Sequence, residues 1–293
     1  MKYLYYPGCS LDGTAGEYNE STRNLMKRLD VELIELTDWT CCGASAAEFE
    51  SRLLSLALPA RNLAIAEKMA DGLDLLVPCS ACYLNLKKVV ETVKTDPLML
   101  STLNQVLAED GLKLTGRIHV RHLLDILSVD IGHQAIQNRV IDSLSGLSVA
   151  PYYGCQCLRP YAVFDDPEWP TSMNALIQAT GAQVHLWEMG AKCCGASHMN
   201  THHDAGLTLV EAILSAARPA DAIVTVCPMC QMNLEGYQGR ISAMNHADLH
   251  MPILYLPQLL GMAMGISRKE LQIDQNLTSV GRLYMKMGSG TVP

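Results

Sequence analysis

The sequence predicts an α/β protein of two similar lobes, each a small, mostly parallel sheet flanked by helices. Three observations carry that expectation. Short apolar runs alternate with longer stretches of helical period. The apolar runs show little polar alternation, as strands buried on both faces require. And one arrangement of cysteines occurs twice along the 293 residues.

In the first half, residues 2–7, 31–36, 73–78 and 117–121 read as strands, and in the second half 148–153, 182–187, 221–226 and 251–256 do. Leu73 to Val77 is typical, five residues of which only Asp74 is polar. Residues 16–29, 47–70 and 203–217 have the period of covering helices. Pro59 falls inside 47–70 and is expected to start or kink a helix there, because proline lacks an N–H and crowds the preceding turn.

The halves match in order and in detail, which points to an internal duplication. Tyr5-Tyr6-Pro7-Gly8-Cys9 parallels Pro151-Tyr152-Tyr153-Gly154-Cys155, and Asp74 to Cys79 parallels Ala222 to Cys227. Ala81-Cys82-Tyr83-Leu84-Asn85-Leu86 parallels Met229-Cys230-Gln231-Met232-Asn233-Leu234. Each half closes with a strand and an apolar helix. The turn-like stretch Ser143 to Gly146 sets the expected lobes at 1–146 and 147–293.

Cysteine usage is the most specific signal. Cys9 is followed after 31 residues by Cys41-Cys42-Gly43, and after 36 more by Cys79-x-x-Cys82. Cys155 is followed after 37 residues by Cys193-Cys194-Gly195, and after 32 more by Cys227-x-x-Cys230. These two sets of five take ten of the eleven cysteines and leave Cys157 over. Cys9, Cys79, Cys155 and Cys227 each follow a predicted strand directly. Cys41 and Cys193 sit a few residues beyond one, so the five thiols of each half are expected to meet at the carboxyl ends of the strands, where open α/β sheets gather their ligands. The C-x-x-C pairs also open helices, whose first amides favour thiolate charge.

A net charge of −8 argues against a nucleic-acid or anionic-membrane surface. With 5% aromatic residues, a base-stacking platform is also disfavoured. No apolar run approaches the ~20 residues of a membrane span, and residues 1–7 have no signal-peptide character. Many cysteines without a secretion signal imply a metal or redox role in a reduced compartment, hence a cytoplasmic location.

Zinc takes four ligands in a tetrahedron, normally from two close pairs. Adjacent Cys41 and Cys42 cannot readily offer two thiolates to one tetrahedral ion. A cubane cluster takes four cysteines, so a fifth implies another iron–sulfur geometry. Spacing therefore favours iron–sulfur chemistry, with a zinc-stabilised scaffold as the alternative.

The paired frame C-x(31–37)-C-C-G-x(31–35)-C-x-x-C, with the closing stretch Leu256 to Gly265, resembles the heterodisulfide reductase B-component family over nearly the whole chain. The resemblance implies two noncubane [4Fe-4S] clusters, each held by five cysteines. Carried over by position, Cys9, Cys41, Cys42, Cys79 and Cys82 would bind one, and Cys155, Cys193, Cys194, Cys227 and Cys230 the other. It further implies reduction of the mixed disulfide of coenzyme M and coenzyme B, or an analogous one, to two thiols, with Cys42 and Cys194 in the catalytic role. The implied partners are a ferredoxin-like subunit (the C component) and a flavin-bearing subunit (the A component). Similar Cys-Cys-Gly modules occur in electron-transfer subunits of lactate- and quinone-linked dehydrogenases, the alternative function.

Other residues carry lesser expectations. Gly43 and Gly195 are expected to let the backbone turn beneath a cluster. Cys157 is expected to be a buried thiol outside the ligand set. Gln156 departs from the His that members of the resembled family often carry after the equivalent Cys. His198, His202 and His203 are candidate proton donors, with solvated histidines as the plainer reading. Arg159 and Lys192 lie close to ligand cysteines in sequence and are candidates to draw an anionic substrate. His119 and His122 read as core or surface residues, Pro78 and Pro228 as turn formers, and Met262 to Met264 as packing.

Overall fold

The computed structural model describes residues 1–44, 46–70 and 72–287. Among the described residues, eight strands form two four-stranded sheets, all parallel. β1 (Lys2–Tyr5), β2 (Glu32–Glu35), β3 (Leu75–Val77) and β4 (Val120–His122) lie in the order β2-β1-β3-β4. β5 (Ser148–Tyr152), β6 (Gln183–Val184), β7 (Ala222–Thr225) and β8 (Ile253–Tyr255) repeat it as β6-β5-β7-β8. All eight predicted strands are present, and both sheets have the expected parallel sense.

The apolar runs take the centre of each sheet. Leu75, Leu76 and Val77 are wholly buried, in register with Val120, Arg121 and His122. Ala222, Ile223 and Val224 are equally buried and pair with Val149, Ala150 and Pro151 of β5. At the edge, β2 exposes Glu32 and Glu35 and half-buries Leu33 and Ile34. Chain order reverses between β1 and β3, and between β5 and β7. Both sheets therefore carry a topological switch point at the carboxyl ends of their central strands.

Several strands are shorter than expected because side chains take over ladder hydrogen bonds. The Glu67 carboxylate accepts the backbone N–H groups of Thr115 and Arg117 at 2.6 and 2.7 Å, so β4 begins only at Val120. Beyond β6 the Trp187 indole donates to the Pro151 carbonyl at 2.9 Å, where a longer strand would have placed a backbone N–H. The predicted helices 16–29 and 203–217 are the helices Gly16–Arg28 and His203–Ala217. The 47–70 stretch divides at Ser51, whose hydroxyl caps Leu54 N. Pro59 instead lies inside the helix Arg52–Met69, so the N-cap sets its start and not the proline.

The chain comprises two compact units, residues 1–16 with 26–126, and residues 17–25 with 127–293. Each holds one sheet and one cysteine set. In the second unit, Tyr18 stacks on Tyr255 with ring centroids 4.0 Å apart, and its hydroxyl donates to the Val226 carbonyl at 3.1 Å.

Candidate metal centres

Each cysteine set is delivered by three chain segments. β1 ends at Tyr5, and Gly8, at φ +71°, turns the chain so that Cys9 follows at the carboxyl end of this central strand. Gly154, at φ +70°, does the same before Cys155. Positive φ is easily adopted only by glycine, and here the side chain is excluded as well. A Cβ on Gly8 would lie 2.9 Å from Cys82 Sγ, and one on Gly154 2.9 Å from Cys230 Sγ. The C-x-x-C pairs start helices. Cys79 is the N-cap residue of Ser80–Thr95 and Cys227 that of Pro228–Gly236, so both pairs sit where the helix dipole favours negative charge.

The Cys-Cys-Gly turns bring the remaining thiols. Cys41 Sγ lies 3.5 Å from Cys9 Sγ, and Cys42 Sγ lies 3.3 Å from Cys82 Sγ. In the second unit Cys194 Sγ lies 3.5 Å from Cys230 Sγ, while Cys193 interacts with Cys155 and Cys230 with Cys227. The ten cysteines thus meet as two quintets, and no disulfide is formed among the eleven. Gly43 (φ +72°) and Gly195 (φ +77°) donate their backbone N–H groups to Cys41 Sγ and Cys193 Sγ at 3.4 and 3.3 Å. Cys42, Cys79, Cys82, Cys194, Cys227 and Cys230 are buried, Cys9 and Cys41 are exposed, and Cys155 and Cys193 are half-buried. Each nest therefore has a closed floor and an open edge.

The thiols polarise one another. Hydrogen bonds from Cys41 and then Cys82, against the cost of burial, hold Cys42 down to about 4. Cys82 is pushed up, first by its bond to Cys42. In the second nest a bond from Cys155 holds Cys193 down to about 5, helped by Gly195 N–H and the charges of His198 and Arg159. Among the described residues no three His, Cys, Asp or Glu side chains converge as a site for a single ion. What the nests offer is five sulfurs apiece, one in each with its proton held loosely (Cys42 and Cys193), and glycines that keep Cβ atoms out. That donor set suits a polynuclear iron–sulfur group.

Two pairs of residues escaped sequence reasoning. Asn85 and Asn233, each three residues after the last cysteine of its set, donate their amides to the carbonyls of Cys42 and Cys194 at 3.2 and 2.6 Å. The buried Tyr6 and Tyr152, each three residues before the first cysteine, donate to the carbonyls of Thr40 and Lys192, both at 2.7 Å. Thr40 and Lys192 directly precede the two Cys-Cys-Gly turns. Each turn is thus latched from both sides. The repeated positions were visible in the sequence, and the shared carbonyl partners were not.

The other candidates lie outside the thiol sets, with His198 and Arg159 near enough to Cys193 for their charges to act on it. Cys157 is buried, and its thiol donates to the Tyr153 carbonyl at 3.2 Å. Arg159 bonds the carbonyls of Pro167 and Ala191 and pairs with Glu168. Lys192, His198 and His202 are exposed, and Gln156 is half-buried. His203 lies against Tyr237 and Arg240. His119 is exposed, whereas His122 is buried and contacts Ser80 at 3.2 Å. Met262 and Met264 are packed in the core.

Duplicated parallel sheets with a thiol quintet at each switch point define a two-repeat, cysteine-rich α/β protein. The family model described as a cysteine-rich domain (CCG) matches residues 3–87 and again 149–235, and the chain belongs to that family. It is 33% identical over 286 residues to the 8-methylmenaquinol:fumarate reductase membrane anchor subunit of Wolinella succinogenes, covering 96% of this chain and 99% of that protein. It is 31% identical over 283 residues to the B component of the ferredoxin/F(420)H(2)-dependent CoB-CoM heterodisulfide reductase of Methanosarcina acetivorans, covering 94% and 93%. A protein of Archaeoglobus profundus, named for its likeness to the same heterodisulfide reductase component, is 27% identical over 280 residues. The resemblance to the heterodisulfide reductase B component is thereby borne out. Among solved structures, a hypothetical protein from Helicobacter pylori superposes with a TM-score of 0.74 at 16% identity, a likeness of fold. It covers 96% of this chain, which spans about half (52%) of that one. Among the described residues no helix is long and apolar enough to cross a membrane.

Proposed function

We propose that this chain is the catalytic iron–sulfur subunit of a heterodisulfide reductase-like complex, an oxidoreductase that converts a disulfide and two electrons and protons into two thiols. The disulfide is of the coenzyme M–coenzyme B type or an analogous one. The observation that supports this best is the repetition of a five-thiol nest with a closed floor and an open edge. Cys9, Cys41, Cys42, Cys79 and Cys82 would hold one noncubane [4Fe-4S] cluster, and Cys155, Cys193, Cys194, Cys227 and Cys230 the other. When bound, such clusters supply electrons singly and a Lewis-acidic iron.

The protein's own share is positional. Gly8 and Gly154 leave room beside the sulfurs, Gly43 and Gly195 turn the chain and offer N–H groups, and the asparagine and tyrosine latches fix both turns. Cys42 and Cys194, at the buried end of each turn, take the catalytic role. The repeats 1–146 and 147–293 serve as the two cluster-binding lobes. Two partners, one ferredoxin-like and one flavin-bearing, would deliver electrons in the cytoplasm.

A second reading has its own support. The Wolinella relative, matched over 99% of its length, is named as part of a menaquinol-linked reductase. On that reading the same clusters pass electrons between a quinol and a partner protein, and bind no disulfide.

Anaerobically purified protein tests both readings. About eight irons with matching sulfide per chain is expected, together with an electron paramagnetic resonance signal that changes on adding coenzyme M or coenzyme B. Clusters indifferent to thiols but reduced by a naphthohydroquinone would favour the second reading. Two zincs and no sulfide would overturn both.

A further inference from the structure

Beside the second nest, and with no counterpart in the first repeat's sequence, lies a ring-lined pocket. Its volume is 350 Å³, at the small end of ligand sites. Pro151, Tyr153, Trp169, Asn174, His185 and Trp187 line it. Its wall includes Gly190 and Ala191, the strip of chain that leads into Cys193. Gly190 O accepts the N–H groups of Tyr153 and Gly154 at 2.9 and 3.2 Å, and Arg159 holds Ala191 O at 2.6 Å. Only Lys192 stands between Ala191 and Cys193, which limits their Cα–Cα distance to about 8 Å. One pinned segment thus both walls the pocket and leads into the thiol nest.

The pocket exists because the second repeat is longer here. Sixteen residues, 156–171, separate Cys155 from the helix Ser172–Ala179, against six, 10–15, between Cys9 and the helix Gly16–Arg28. The added loop is ordered by its own carboxylates. Asp165 accepts the N–H groups of Thr171 and Ser172, and Asp166 those of Glu168 and Trp169, at 2.7 to 3.0 Å. The result presents the Trp169 indole, 66% exposed, at the pocket's margin. Within the lining, Asn174 Oδ1 is buried and accepts no hydrogen bond. A buried acceptor left open costs about 1–3 kcal/mol, and a ligand donor recovers that cost once the amide turns toward the pocket. Arg159 already pairs with Glu168, which leaves aromatic faces, one open amide, His185 and the Glu188 carboxylate as the recognising chemistry.

We propose that this pocket binds a planar hydroquinone. Trp169, Trp187 and Tyr153 bury its ring, and Asn174 receives one hydroxyl. The amide suits both redox forms of such a ring, accepting from a quinol O–H and donating to a quinone carbonyl after rotation. The site deepens the quinol-linked reading above, yet the binding it asserts involves no change in either partner.

The test is isothermal titration of the anaerobically purified full chain with 2-methyl-1,4-naphthohydroquinone, beside Asn174→Ala and Trp169→Ala. One saturable site per chain is expected, weakened about tenfold in each variant, the loss of roughly one hydrogen bond or ring contact. Iron content and cluster spectra should stay unchanged. Equal affinity in all three proteins, or no saturable binding, overturns the pocket. Cluster reduction by the same hydroquinone is followed in parallel. Reduction without pocket-dependent binding sinks this site and leaves the quinol-linked reading. Pocket-dependent binding without reduction sinks that reading and leaves the site.

Discussion

Asn233 donates its side-chain amide to the backbone carbonyl of Cys194 at 2.6 Å, joining the helix that the second C-x-x-C pair opens to the Cys-Cys-Gly turn. Asn85 makes the same bond to Cys42 at 3.2 Å. Asn233 is only 2% exposed whereas Asn85 is half-buried, so water can replace the amide more readily in the first unit. Asn233→Ala should cost about 1–3 kcal/mol and Asn85→Ala less, because an orphaned buried carbonyl carries the full desolvation cost. Urea unfolding of the two variants gives the ranking. Equal losses, or none at Asn233, would contradict the latch.

Gly8 and Gly154 make the closest approach to sulfur in their nests. An alanine at either position adds left-handed strain of about 1–2 kcal/mol and a Cβ 2.9 Å from Cys82 or Cys230 Sγ. Gly8→Ala should therefore lower iron and sulfide per chain by about half, since only one nest is disturbed. Gly154→Ala should spare the first nest in the same way. Metal and sulfide assays on the folded variants check this. Full occupancy in both would show that the cradle is not needed.

The fold was readable because parallel strands buried on both faces leave continuous apolar runs, and Leu75 to Val77 or Ala222 to Val224 admit little else. The cysteine spacing showed which segments carry the thiols, and the strand ends showed where they would gather. Strand lengths were less legible. The β4 start depends on Glu67, some fifty residues away, and the β6 end on the Trp187 indole reaching Pro151. The Ser51 cap outweighed Pro59 because a helix can hold a proline where the surrounding packing supports it. Asn85, Asn233, Tyr6 and Tyr152 stood at matched positions in both repeats. Which carbonyl each would seek depended on how distant segments meet, and no local pattern encodes that.

Tyr152 offers a cleaner probe of the other latch. Its ring is buried beside the thiols, and burial, then the nearby Cys230 and Cys194, pushes its hydroxyl well above the ordinary phenol range. It stays protonated and donates to Lys192 O at 2.7 Å. Tyr152→Phe keeps the ring and removes only the donor. A loss of about 1–2 kcal/mol is expected, with a shifted reduction potential for the second centre and an unchanged first one. Tyr6→Phe should do the converse, more severely, since Tyr6 also accepts from Asn62 at 3.3 Å. Potentiometric titration separates the two centres, and identical shifts in both would refute local latching.

His122 should make the first unit acid-sensitive. Its ring is fully buried, and burial lowers its pKa from 6.5 to about 3. Nδ1 accepts the Leu124 N–H at 3.2 Å, so in the neutral ring the proton sits on Nε2, facing Ser80 Oγ. A second proton would have to enter at Nδ1, break that cap and place a charge away from water. The unfolded chain accepts it near pH 6.5. Between about pH 6.5 and 3 the unfolded state therefore binds more protons. The contribution to stability is whole above 6.5 and is lost as pH falls toward 3. Going from pH 7.5 to 4.5 should cost the wild-type chain about 2–3 kcal/mol through this group. His122→Asn keeps an acceptor for Leu124 and removes the titration. Its urea midpoint should fall less on acidification than the wild type's, and a parallel fall in both proteins would rule His122 out as the source.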